Sequence, residues 1–84
     1  MLTAGSTVIV RTVTHYFTGR VVNIEDGFLT LEQAAWIADT GRWSKALNTG
    51  TLEEVEPYPA GVAIALTAIV DVSPWQHDLP TTTK

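Results

Sequence analysis

The sequence predicts a mainly β fold: a small five-stranded barrel with a short helical insertion between strands 3 and 4. Three observations predict it. Residues 8–17 are rich in β-branched and aromatic side chains, which favour a pleated, half-buried surface. Residues 16–33 alternate around an Asp-Gly turn, and residues 62–72 form a nearly continuous apolar run. Closing such short strands into a barrel removes the unpaired edges of a sheet.

The first half of the chain predicts a strand followed by a hairpin. Residues 8–17 form the strand, and residues 20–25 and 28–33 alternate as the two arms of the hairpin. Between the arms, Glu25-Asp26-Gly27 is a tight turn in which glycine tolerates a positive φ. Gly19 marks a bend or a close approach between backbones.

A helical insertion is predicted at about residues 35–50. Trp36, Trp43 and Leu47 are spaced by seven and four residues, which is helical spacing. Gly41 argues against one continuous helix, so a short helix should follow it. The expected signals at the two ends of that helix are Asp39 or Thr40 as the N-cap, and Asn48 and Gly50 as the stop.

The second half of the chain predicts two further strands, or one bent strand, over residues 62–72. A near-continuous apolar run is typical of a strand that is covered on both faces. Pro74 should end this element, and Trp75 should anchor the chain where it leaves the sheet. The domain is expected to span residues 1–77, with residues 78–84 as a flexible C-terminal tail.

The composition favours assembly with other chains. The chain has 84 residues, and a domain of this size buries only ~60–65% of the surface that its unfolded chain exposes. Without cysteine, neither disulfides nor thiolate metal sites can add stability. Hydrophobic residues make up 45% of the chain and charged residues only 17%, so polar surface is scarce. We therefore expect a homo-oligomer, with a second kind of protein partner left open.

Several other activities and locations are disfavoured. A net charge of −4 argues against phosphate-backbone binding as the main activity. Neither a signal peptide nor an apolar stretch long enough for a membrane span is visible, so we expect a cytoplasmic protein without a membrane partner. No cofactor, metal site or catalytic residue is predicted. His15 and His77 lie far apart in the sequence, and Ser44 lacks an evident His and Asp arrangement.

Two segments resemble the signatures of the Sm-like (LSm-type) small β-barrel family. Residues 16–31 give a strand, a glycine, a bent second strand, an acidic turn and a third strand with alternating leucines. Residues 64–72 give an apolar strand, a break of small residues and a second apolar strand. SH3-like barrels share much of this pattern. The resemblance implies a small barrel whose copies associate by strand pairing, with a ring among the arrangements open to it.

The chain also departs from the family pattern. The turn at residues 25–27 lacks the asparagine that binds a base in the family, and Leu66-Thr67-Ala68 stands where the family carries an Arg/Lys-Gly pair. The resemblance therefore implies the fold and the assembly, but not the RNA site. The chain is also similar, notably around residues 35–42, to small uncharacterised proteins of tailed bacteriophages, which would place it in the host cytoplasm. That similarity implies no known activity.

The side chains that could carry function fall into two groups. Tryptophans usually anchor a core or an interface because each can bury ~150–250 Å², although they can also stack on a base or a sugar. Asp39 and Arg42 are loop-site candidates, with a helix cap and a salt bridge between them as the structural alternative. The candidates for an oligomer interface or for ligand contact are Trp36, Trp43, Trp75, Ile64, Leu66 and Ile69.

The function expected from these features is that of a non-enzymatic, homo-oligomeric assembly or interaction protein. One alternative is an Sm-like module that binds nucleic acid, RNA in particular, with Arg11 or Arg20 gathered around a ring pore. A further alternative is a small enzyme whose site is built at an oligomer pore from several copies of a few residues.

Overall fold

The computed structural model describes residues 2–84 and contains six strands and one α-helix over that range. The helix α1 (Trp43–Thr49) connects the third strand to the fourth, as predicted, and a 3₁₀ turn (Leu66–Ala68) connects the last two strands. The fold is therefore mainly β with one helical insertion. The strands are β1 (Thr7–Thr12), β2 (Tyr16–Glu25), β3 (Phe28–Asp39), β4 (Glu54–Pro57), β5 (Val62–Ala65) and β6 (Ile69–Pro74).

The strand β3 organises the sheet because its two halves pair with different neighbours. The hydrogen-bonded path runs β4-β3-β2-β1-β6, all antiparallel, and is open at both ends. The first half of β3 pairs with β5, where Phe28 lies opposite Ala65. The second half pairs with β4, where Asp39 lies opposite Glu54. The end of β3 is thereby fixed between β2 and β4.

The hairpin between β2 and β3 is confirmed. Glu25 lies opposite Phe28, so the connection consists of Asp26 and Gly27 alone. Both residues have a positive φ, 54° and 81°, which is the geometry of a type I′ turn. This turn matches the twist of the flanking strands, and the Asp-Gly pair supplies the two residue types that adopt it most readily.

Hydrophobic side chains fill two cores, one on each face of the sheet. Trp75 lies in the second core with only 2% of its surface exposed, which confirms that it anchors the chain after β6. The first core contains Val8, Val10, Phe17, Val21, Leu29, Leu31, Ala34 and Ile64. The second core, to which α1 contributes Ala46, contains Ile9, Ala35, Ile37, Ala46, Leu52, Val55 and Trp75.

The region between β3 and β5 differs from the prediction in two ways. The sequence predicts five strands, but β4 is an additional one, with Val55 buried between two exposed glutamates. The insertion predicted at about 35–50 contracts to α1, because residues up to Asp39 pair with β2 and β4 as strand. Trp36 therefore lies in β3 rather than in a helical segment.

Of the two predicted ends of α1, the C-terminal one is correct and the N-terminal one is wrong. The N-cap is Arg42, without a side-chain hydrogen bond, so the assignment to Asp39 or Thr40 is wrong. The stop is confirmed: Gly50 is the C-cap in the left-handed conformation, and its N–H donates to the carbonyl of Ala46.

The last two strands are confirmed as two, but they are not covered on both faces. Ala63 is exposed and Val70 is 54% exposed, so these side chains face solvent. In addition, no strand within residues 2–84 pairs with the outer edges of β5 and β6. The residues after Trp75 contact the rest of the molecule. Leu79 packs on the second core, and Lys84 exchanges two backbone hydrogen bonds of 2.9 and 3.0 Å with Val55. No helix within residues 2–84 is long and apolar enough to cross a membrane.

Candidate functional site

A polar groove lies between the β1–β2 turn and the C-terminal end of β3, with a cavity volume of about 370 Å³. We call it the Trp36 groove. Val13 and Thr14 of the turn form one wall, and Trp36, Ala38 and Asp39 lie on the other. The two walls come from elements that β2 ties together, since β2 pairs with both β1 and β3.

The indole of Trp36 is held by aromatic neighbours. Its ring centroid lies 5.2 Å from that of His15, and the His15 ring in turn stacks on Phe17 with centroids 5.9 Å apart. The cross-strand pair of Phe17 with Trp36 sets this register. A hydrogen bond of 2.7 Å joins the Nδ1 of His15 to the Thr14 hydroxyl. Trp36 is partly buried and lines the groove, so part of its surface stays accessible.

In the loop after β3, Asp39 and Arg42 do not form the helix cap and salt bridge that the sequence predicts as their structural alternative. The Oδ1 of Asp39 accepts a 2.8 Å hydrogen bond from the N–H of Gly41, which closes a local turn. The salt bridge expected between Asp39 and Arg42 is not formed, since the single salt bridge within residues 2–84 joins Arg11 to Asp71. Arg42 is exposed at the start of α1. The two loop candidates are therefore close in sequence but make no ion pair.

A second surface consists of apolar side chains along the edge of the sheet. At the end of the hairpin, Ile24 is 42% exposed and Phe28 is 45% exposed. The N–H of Leu66 donates to the carbonyl of Gly27 at 2.9 Å, which brings the 3₁₀ turn beside the hairpin. Leu66 and Val70 are also exposed. We call this surface the apolar edge: Ile24, Phe28, Leu66 and Val70, together with the outer edges of β5 and β6.

The remaining interface candidates lie mostly inside the molecule. Trp75 and Ile64 are buried, and the Nε1 of Trp75 donates to the carbonyl of Asp78 at 3.1 Å. Ile69 packs partly buried against the first core. Trp43 packs against the second core with its ring centroid 5.2 Å from that of Tyr16. Of the six candidates, Leu66 is the one that is exposed, and Trp36, Trp43 and Ile69 are partly buried.

The two arginines considered for nucleic-acid binding are both engaged within the chain. Arg11 donates from Nε and from a terminal nitrogen to one carboxylate oxygen of Asp71. These hydrogen bonds and the charge of Asp71 raise the pKa of the Arg11 guanidinium above its ordinary value. Arg20 donates to the side chain of Gln33 and to the carbonyl of Gly5, at 3.2 and 3.1 Å.

The two histidines lie in different surroundings. His15 contacts Trp36, whereas the Nε2 of His77 lies 2.8 Å from the carbonyl oxygen of Leu47 in α1. No cluster of three or more His, Asp or Glu side chains in the part of the chain that the structure describes could hold a metal ion.

Sequence reasoning missed most of the apolar edge. Ile24 and Phe28 are predicted only as hairpin residues, although a hairpin that extends beyond the core leaves its last apolar side chains exposed. A signal for this surface is the stretch from Val62 to Val70, which contains no charged residue. Natural edge strands usually carry charges or proline that discourage pairing with another chain.

Comparisons of this chain with family models, with curated proteins and with solved structures find no match.

Proposed function

We propose that this protein is a non-enzymatic assembly protein whose copies associate through the apolar edge. The observation that carries this proposal is the outer edge of β5 and β6, which no strand within residues 2–84 pairs with and which is uncharged from Val62 to Val70. Phe28 and Val70 add exposed apolar surface beside it. An edge with these properties is a template for pairing with another strand. A second copy fits because each chain brings the same unprotected edge and the same scarcity of charge.

The proposal includes an Sm-like or SH3-like barrel as the unit of assembly. The segment β5–3₁₀–β6 supports it, because β5 pairs with β3 while β6 pairs with β1 at the far end of the path. One continuous segment thus bridges two separate parts of the sheet. Its break falls at Leu66–Ala68, the small-residue break of the second sequence signature. In this arrangement β5 lies at the end of β3 away from the Trp36 groove, whereas β6 begins opposite Thr12, close to the groove in sequence.

Nucleic-acid binding is a weaker hypothesis than assembly through the apolar edge. The guanidinium groups of Arg11 and Arg20 already bond to Asp71, Gln33 and Gly5. Binding a phosphate would require breaking these bonds, in a chain whose net charge is −4.

The test adds a positive charge to the proposed edge. Ala63→Lys and Val70→Lys place an ammonium on exposed positions of β5 and β6, and Ala60→Lys makes a matched change on the exposed turn before β5. Sedimentation velocity should show smaller species for the first two variants and native behaviour for the third. Circular dichroism checks that each variant keeps its β signal. If all three variants sediment like the native chain, the edge does not carry the assembly.

A further inference from the structure

We propose that the Trp36 groove binds a lysine or arginine side chain presented by a protein partner. This proposal does not depend on the assembly, because the two surfaces consist of different residues: Val13, Trp36 and Asp39 line the groove, and none of them belongs to the apolar edge.

The groove has the size and the surface for one long cationic side chain. Its volume of about 370 Å³ lies at the low end of ligand pockets, which span roughly 300–1,000 Å³. The indole of Trp36 contacts His15 and its strand pairs with β2, so the part of it that lines the groove is held in place. Among aromatic side chains, tryptophan attracts a cation most strongly. Val13, 85% exposed at the opposite wall, supplies apolar surface for the methylene stem.

The charges around the groove select a cation over an anion or a neutral group. Asp39 lines the groove and lies directly opposite Glu54 in the β3–β4 pairing, and Trp36 lies opposite Glu56. Like charges directly opposite each other on neighbouring strands are destabilising. None of these carboxylates has an ion-pair partner within residues 2–84, where Arg11–Asp71 is the single salt bridge. A cation from a partner would therefore reduce the repulsion between these carboxylates, which no ion pair within residues 2–84 reduces.

Arg42, the cation closest to Asp39 along the chain, is not the occupant. Arg42 follows Asp39 by three residues but forms no salt bridge with it, and its side chain is exposed at the N-cap of α1. A bare metal ion is disfavoured because the residues around the groove form no cluster of three metal-binding side chains within the described range. The complementary group is a cation with an apolar stem, which is the chemistry of lysine and arginine.

The experiment titrates the full chain with a blocked tripeptide, Gly-Arg-Gly, and follows backbone and indole N–H signals by NMR. The matched peptide replaces arginine with citrulline, which keeps the shape and removes the charge. We expect saturable shifts at the Trp36 indole and at residues 37–40 with the arginine peptide only. The Trp75 indole, which is bonded to the Asp78 carbonyl, should not move. Equal shifts with both peptides, or shifts spread over all acidic positions, would overturn the proposal.

Two variants make the test specific. Asp39→Asn should weaken binding of the arginine peptide about two- to fivefold, as expected for an exposed ion pair. Asp26→Asn makes the same change in the hairpin turn at the other end of β3 and should leave binding unchanged. Equal weakening by both variants would show that net charge alone attracts the peptide. Trp36→Leu should abolish the saturable shifts at residues 37–40 while the remaining spectrum keeps its folded dispersion.

Discussion

Gly19 lies so close to Leu31 that a Cβ atom on the glycine would come within 2.8 Å of the Cβ of Leu31. Side-chain carbons do not approach this closely, so the two strands could not keep their separation. The pairing of β2 with β3 shifts register between Thr18 and Arg20, which leaves Gly19 at the irregularity. The sequence-based prediction of a close backbone approach at this glycine is thus confirmed.

Gly19→Ala should therefore destabilise the fold, by about 1–3 kcal/mol, because the added methyl group overpacks the first core. Urea unfolding followed by tryptophan fluorescence measures the change. Gly27→Asn is the control: no atom lies within 4 Å of a Cβ there, and asparagine tolerates the left-handed conformation of the turn. A loss of stability for Gly27→Asn as large as that for Gly19→Ala would contradict the packing argument.

A second prediction concerns two buried threonines with opposite hydrogen bonding. The hydroxyl of Thr18 is buried and has no hydrogen-bond partner within the described chain. Thr18→Val replaces it with a methyl group of similar size and should raise the free energy of unfolding by about 1 kcal/mol. The hydroxyl of Thr12 donates to the carbonyl of His15 and accepts from its N–H, both at 2.9 Å.

Thr12→Val is the matched control, since it makes the same chemical change where both bonds exist. It should lower the free energy of unfolding by about 1–2 kcal/mol. Thermal unfolding of the two variants under identical conditions gives the comparison. Stabilisation by both substitutions, or destabilisation by both, would contradict the prediction that hydrogen bonding of the hydroxyl decides the sign.

The elements that could be predicted from the sequence are those fixed by local chemistry. The hairpin turn follows from Asp26 and Gly27, whose residue types permit positive φ. The end of α1 follows from Gly50 for the same kind of reason. The break between β5 and β6 follows from the small residues that interrupt the apolar run.

The elements that were missed depend on contacts between distant segments. The spacing of Trp36 and Trp43 is helical, but pairing of β3 on both sides holds Trp36 in a strand. β4 is only four residues long and contains two glutamates, so the single buried Val55 is too weak a signal to predict a strand from the local sequence. The Trp36 groove is equally non-local, because Val13 and Asp39 are 26 positions apart in sequence and meet only through the order of the strands.

A third prediction concerns the ion pair between Arg11 and Asp71, whose side chains are 42% and 43% exposed. A double-mutant cycle with Arg11→Ala and Asp71→Ala should give a small favourable coupling that decreases as sodium chloride is added, since solvent screens exposed pairs. The folded-state pKa of Arg11 is raised, so its contribution is present below the ordinary pKa of arginine and is lost only as the pH rises through the raised value.

The coupling should consequently be the same at about pH 7 and at about pH 8.5, where arginine remains fully charged. Chemical unfolding of the four proteins in the cycle at both pH values provides the measurement. If the coupling vanished at the higher pH, the interaction could not be one between the Arg11 guanidinium and the Asp71 carboxylate alone.

The most direct measurement is the solution mass of the native chain, by light scattering coupled to size exclusion over a tenfold range of concentration. Assembly through the apolar edge predicts one defined multiple of the 9.1 kDa chain, held across that range. A constant mass of 9.1 kDa at every concentration would contradict it, because β5 and β6 would then keep their outer edges unpaired in solution.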